Sequence, residues 1–204
     1  MSILLNALPK TVDVCGSEFP IAWDFRTSII FSELFLSADI DEREKIKRGA
    51  ELYYGPVIYD FSEIEATEAI EKMLWFYAAG EIKDTRKGKG KKQTYSFDQD
   101  GDYIYAAFRE QFNVDLSSAK LHWWQFRAMF GSINATTQFG KILGYRTADI
   151  SKMSSKEERE FYRTMKKEYA LDKKFSADED KLISEINEAL MRGEDISHLV
   201  KGYR

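Results

Sequence analysis

The pattern of apolar and polar positions changes period once along this chain. Phe19, Ile21, Trp23 and Phe25 alternate with Pro20, Ala22 and Asp24, and a period of two marks a strand. With Thr11–Val14 before it and Cys15, Gly16 and Ser17 between, the stretch predicts a β-hairpin near the N-terminus. Pro20 has no N–H to donate, which places its strand on an edge. Downstream the period is helical. Ile30 with Leu34 and Phe31 with Phe35 form four-residue pairs in a helix over 27–37. A second helix over 41–54 carries Asp41, Glu42 and Glu44 first and Lys45, Lys47 and Arg48 later, the charge order a helix dipole favours, and stops at Gly55-Pro56. Ser62 and Glu65 form a capping box for a third, which ends at Gly80.

Residues 81–94 break the pattern, because Arg86-Lys87-Gly88-Lys89-Gly90-Lys91-Lys92 holds five cations and two glycines with nothing to bury. Beyond it Asp98 or a close neighbour caps a helix that reaches Phe112 and stops at Asn113. Ser117 or Ser118 starts the helix of Trp123 and Trp124, ending by Gly131. A shorter helix follows over 137–145. Two charged helices complete the pattern, one capped by Ser154 with Glu157 and one by Ser176 with Glu179, the latter ending at Gly193. The fold class expected is mainly α, a multi-helix domain with an N-terminal β-hairpin. Its divisions are 1–80, a basic linker over 81–94, a helical half over 95–171 and a terminal helix and tail over 172–204, a set that also fits one compact domain.

Composition adds exclusions. At 204 residues and 44% hydrophobic, the chain is long enough for a sizeable core. Cys15 is the only cysteine, and His122 and His198 are far apart in sequence, so neither a disulfide framework nor a clustered zinc site is expected. The N-terminus has no basic leader, and no run of about 18 apolar residues occurs, so neither secretion nor membrane spanning is expected. A net charge of −4 argues against a protein built mainly to hold nucleic acid, leaving only the basic linker for that role.

Candidate chemistry is sparse. Asp98, Asp100 and Asp102 imitate the start of a calcium loop, but Tyr103 stands where the turn glycine belongs and Arg109 where the bidentate glutamate belongs. Helix-start acids are the better reading. His122 has no adjacent nucleophile or acid, Cys15 has no partner that would activate it, and Gly88-Lys89-Gly90-Lys91 matches no phosphate loop. No enzyme and no cofactor is expected. Trp123, Trp124 and Phe126 supply more aromatic area than one buried stripe needs, and two roles stay open for them, core packing and a face for a partner. Arg127 fits both, as a cation stacked on a ring or as an interface anchor.

One block is distinctive. Tyr95-Ser96-Phe97-Asp98-x-Asp100-x-x-Tyr103-Ile104-x-Ala106-Ala107-Phe108-Arg109 is followed by Asp115-Leu116, Leu121-His122-Trp123-Trp124-x-Phe126-Arg127, Phe139-Gly140-x-Ile142 and Tyr145-Arg146. It resembles the bacteriophage gene-product-fifteen family of tailed phages and prophages of low-GC Gram-positive bacteria. The likeness extends from residue 1 to about 171, with Leu8-Pro9 and Ile21-x-x-Asp24-Phe25-Arg26 near its start. The resemblance implies a non-catalytic tail assembly chaperone, encoded just upstream of the tape measure protein. Such a protein coats that long helical partner in the infected host's cytoplasm, helps recruit tail-tube subunits, and is absent from the mature virion. The family carries no agreed functional residues. From the block we expect the partner-binding residues to be Trp123, Trp124, Phe126, Arg127, Tyr145 and Arg146. A homo-oligomer is compatible with that role. The alternatives are a structural tail or connector protein retained in the virion and a nucleic-acid-binding accessory protein using the basic segment.

Overall fold

The computed structural model describes residues 3–37, 40–81 and 93–172. These fall into two compact units, one formed by 3–81 with Lys120–Arg127 and the other by Gln93–Ala119 with 128–172. The basic run Arg86 to Lys92 and the helix expected from Ser176, with the rest of 173–204, lie outside the described residues.

The first unit opens with the hairpin, β1 Thr11–Val14 against β2 Ser17–Pro20, antiparallel, with Thr11 opposite Pro20 and Val14 opposite Ser17. Cys15 and Gly16 make the two-residue turn with φ of 50° and 83°. Positive φ at both positions matches the right-handed strand twist, and glycine takes it without strain. Val12 and Val14 point inward, 5% and 0% exposed. The strand expected to run to Phe25 ends at Pro20, because Asp24 caps a helix by accepting the Arg26 N–H at 3.0 Å. Residues 21–24 stay extended with other partners. The Ala22 N–H reaches the Tyr53 carbonyl at 2.9 Å, and the Trp23 carbonyl accepts from Trp123 at 2.9 Å. The alternation of period two therefore survives without a continuous ladder, burying Ile21 and Phe25.

Helix α1, Phe25–Leu36, buries Phe31 and Phe35 and leaves Ile30 54% exposed, so one of the two spaced pairs supplies the core. Helix α2, Glu42–Tyr54, starts at Asp41, which accepts the Arg43 and Glu44 N–H groups at 3.0 Å. Lys45, 3% exposed, spans the two helices, donating to the Phe35 carbonyl at 3.2 Å and to Glu42 at 2.7 Å. A buried ammonium is tolerated because a carboxylate and a last-turn carbonyl both receive it. After a 3₁₀ turn over Gly55–Asp60 comes α3, Glu63–Tyr77, with both halves of the Ser62–Glu65 box formed. It stops three residues before Gly80, and residues 78–80 form a turn. The core is a run of rings in contact: Phe31 with Tyr53 at 5.3 Å and with Tyr77 at 4.9 Å, Tyr77 with Trp123 at 5.3 Å, Trp123 with Phe126 at 5.8 Å, and Phe126 with Phe25 at 4.8 Å. Such pairs add about 0.5–1.5 kcal/mol each beyond the area they bury.

In the second unit α4, Gly101–Phe112, ends where predicted, at Asn113 in the left-handed region with φ of 52°. Helix α5, Trp123–Gly131, begins later than Ser117 or Ser118, and its first residues count in the first unit. Asp115 takes the Ser117 N–H at 2.9 Å and its hydroxyl at 2.6 Å, closing a local turn that competes with a helix start. Helix α6, Gln138–Thr147, is capped by Thr137 through the Gly140 N–H at 3.0 Å. Helix α7, Lys156–Glu168, is capped by Ser155, one residue after the serine expected, with the Glu158 N–H on its hydroxyl at 3.3 Å. A Cβ built on Gly140 would stand 2.1 Å from the Asn134 carbonyl oxygen, a backbone atom with no rotamer to yield. Gly140→Ala is expected to lower stability by about 1–3 kcal/mol, read as a lower urea midpoint at unchanged slope.

Candidate functional site

The motif residues of α5 close the far end of α3. A helix leaves its last four carbonyls without intrahelical partners. Here the Trp124 indole N–H donates to the Phe76 carbonyl at 2.7 Å, the Trp123 indole N–H donates to the Tyr77 carbonyl at 2.7 Å, and the Arg127 guanidinium donates to the Ala78 carbonyl. Three consecutive carbonyls are thus met by positions i, i+1 and i+4 of one helix. Arg127 also faces Glu81 at 3.7 Å and brings positive charge to the negative end of the α3 dipole. Trp123, Trp124 and Phe126 are 2%, 4% and 0% exposed. Of the two roles open for these rings, their burial supports core packing in the first unit. Arg127 is a cap on α3. Nothing in the sequence tells an indole which carbonyl it will meet, so this clamp was not legible beforehand.

His122, 3% exposed, precedes the clamp. Its Nδ1 accepts the Trp124 N–H at 3.1 Å, which places the neutral ring's proton on Nε2, donating to the Pro9 carbonyl at 2.9 Å. Burial lowers the ring's pKa below the ordinary value, Lys10 lowers it further, and the Pro9 bond partly opposes them. Cys15 is exposed, and its thiol donates to Glu68 at 3.2 Å. That hydrogen bond is the first cause of a raised thiol pKa, so the thiolate needed for nucleophilic work is disfavoured.

Tyr145 and Arg146 belong to the second unit. Arg146 forks onto Asp100, Nη1 to Oδ2 at 2.6 Å and Nη2 to Oδ1 at 2.8 Å, and also donates from Nη1 to the Thr94 carbonyl at 3.0 Å and from Nε to the Tyr169 carbonyl at 2.6 Å. Asp100 accepts the Ser96 N–H as well, at 3.0 Å. The aspartate stands at the N-cap position of α4, but its side chain makes no cap bond, because Arg146 and Ser96 hold it. Expected to start a helix, it instead ties α4 to α6. The side chains of Asp100 and Arg146 are 1% and 11% exposed, so Arg146 is an internal brace more than a surface anchor. Tyr145 is half-buried and sits at the centre of an aromatic cluster, with Phe161 at 6.0 Å, Tyr162 at 5.8 Å and Tyr169 at 5.9 Å. Among the described residues no group of three or more His, Cys, Asp or Glu side chains is placed to hold a metal ion. No helix there is long and apolar enough to cross a membrane.

Residues 4–171 match the family model described as Bacteriophage Gp15 protein. The chain belongs to the Bacteriophage Gp15 family. The likeness read from the block over 95–146 therefore extends across both units, taking in the α5 clamp, His122 and the Asp100–Arg146 pair. Membership makes this Gp15 protein one of phage structure and morphogenesis. No curated protein and no solved structure matches the chain.

Proposed function

We propose that this Gp15-family chain is a tail assembly chaperone that binds the tape measure protein in the infected cell, helps recruit tail-tube subunits and departs before the virion matures. The observation that carries the reading is membership of a phage structural and morphogenesis family over residues 4–171. The second unit supplies a surface suited to a helical partner. Helix α7 has no fully buried residue, yet Phe161, Tyr162 and Met165 recur along it at helical spacing, with Tyr169 at its C-cap. Phe161 keeps 49% of its surface exposed beside Tyr145. An amphipathic helix of the tape measure would lie along such aromatics by its apolar face. In this reading Tyr145 stays in the partner face and Phe161 joins it, while the clamp residues serve the core of the first unit.

Co-expression of the full chain with the tape measure protein of the same phage tests the proposal. The tape measure should move to the soluble fraction and co-purify, and no change in the solubility of any tape measure fragment would sink the reading. Mass spectrometry of purified particles should find the chain absent. A fixed copy number in the particle would identify a connector instead.

A further inference from the structure

We propose that His122 is an acid-sensitive latch that fastens the N-terminal segment to the start of α5. The ring joins two parts distant in sequence, Pro9 through Nε2 at 2.9 Å and Trp124 through Nδ1 at 3.1 Å. Its own backbone pairs with Asp24 in an isolated antiparallel bridge. The Trp124 bond needs the neutral ring. The Pro9 carbonyl accepts from either protonation state, but Nδ1 carrying a proton would point an N–H at the Trp124 N–H and lose that bond. The charged ring would also be buried with no anion bonded to it.

Among the described residues, the groups around the ring give the charge no counter-ion. From the N-terminal segment comes Lys10, whose Nζ lies 4.5 Å over the Trp23 ring and whose charge opposes a second one. The stretch before α1 brings Trp23, stacked on the imidazole at 6.0 Å, and Asp24, whose carboxylate is taken by Arg26 at 3.1 Å. Helix α3 presents the Phe76 ring at 5.4 Å, and α5 presents the Trp124 ring at 5.8 Å with Gln125, whose side-chain oxygen accepts the His122 N–H at 3.2 Å. A protonated ring gains most by turning out to water, and that movement withdraws the donor from Pro9. The segment that loses this bond carries Ile3, Leu4 and Leu5, 41%, 88% and 85% exposed. The latch is thus one tie of this apolar segment to α5, next to the Lys10 carbonyl that accepts the Ile21 N–H at 3.0 Å.

The sign follows from linkage. An unfolded histidine takes its proton near 6.5 while the folded ring resists, so the contribution of this site to stability is complete above that pH and shrinks as the pH falls below it. Amide exchange on the full chain at pH 7.5 and pH 5, corrected for intrinsic rates, is the test. Protection of the Trp124 amide and of amides in 3–14 should fall about tenfold or more at pH 5 in the natural chain, and should hold in His122→Gln, which keeps a donor for Pro9 but does not titrate. Protection unchanged with pH, or an equal fall in the glutamine variant, overturns the latch. Should that variant fail to fold, the ring nitrogens of the natural chain followed by NMR decide it. The His122 midpoint must lie below its value in concentrated urea, and an equal or higher midpoint overturns the proposal.

Discussion

Trp123→Ala is expected to remove a large share of the protein's stability, about 3–5 kcal/mol from the lost ring and the space it leaves. The indole is 2% exposed, stacked on Tyr77 at 5.3 Å and against Phe126 at 5.8 Å. Its N–H also serves the Tyr77 carbonyl, which the alanine leaves without that donor in a buried setting, a further cost of about 1–3 kcal/mol. Domains are stable by only about 5–15 kcal/mol, so the variant should sit near its unfolding midpoint. Urea titration followed by circular dichroism at 222 nm measures this. Trp123→Phe helps apportion the two contributions, since it keeps a six-membered ring in the stack and deletes the hydrogen bond with only part of the ring volume. A loss below about 1 kcal/mol for the alanine variant would contradict the packing described.

The second large effect is expected in the second unit. Asp100→Ala strands the Arg146 guanidinium, 11% exposed, with two carbonyls and no carboxylate. Removing one partner of a buried pair costs about 3–5 kcal/mol, most of it from the charge left behind. Arg146→Ala should cost a similar amount for the mirror reason. The double variant Asp100→Ala/Arg146→Ala should then be less destabilised than the sum of the singles, and a double-mutant cycle in urea reads the difference. Strict additivity would mean that the fork contributes nothing.

How much of this was readable from sequence depends on the range of the forces involved. Ser62 with Glu65, Asp41, Thr137 and Asn113 act on backbone groups within four residues of themselves, and each starts or stops its helix where the pattern says. The errors are of two kinds. Ser155 in place of Ser154 is a choice between adjacent hydroxyls of similar capping strength. Asp100 and the tryptophans are different, because each has a local reading that a distant partner overrides. Arg146 lies 46 residues from the aspartate it binds, and the indoles reach carbonyls 48 and 46 residues away. Among the six residues expected to bind a partner, long-range packing likewise decides which side chains are buried. Their aromatic and basic character was visible, whereas burial of Trp123, Trp124 and Phe126 followed from long-range packing.

The α5 clamp also sets an order of events during synthesis. The three donors at 123, 124 and 127 are 46, 48 and 49 residues beyond the carbonyls they meet. At about 5–20 residues per second, the ribosome needs roughly 2–10 s to deliver them after α3 is made. Through that interval the nascent chain carries α3 with an open end and Phe76 and Tyr77 not yet covered by the tryptophans. The first unit therefore cannot close as an autonomous N-terminal module. Its completion must wait until all of the residues between, α4 among them, have been translated.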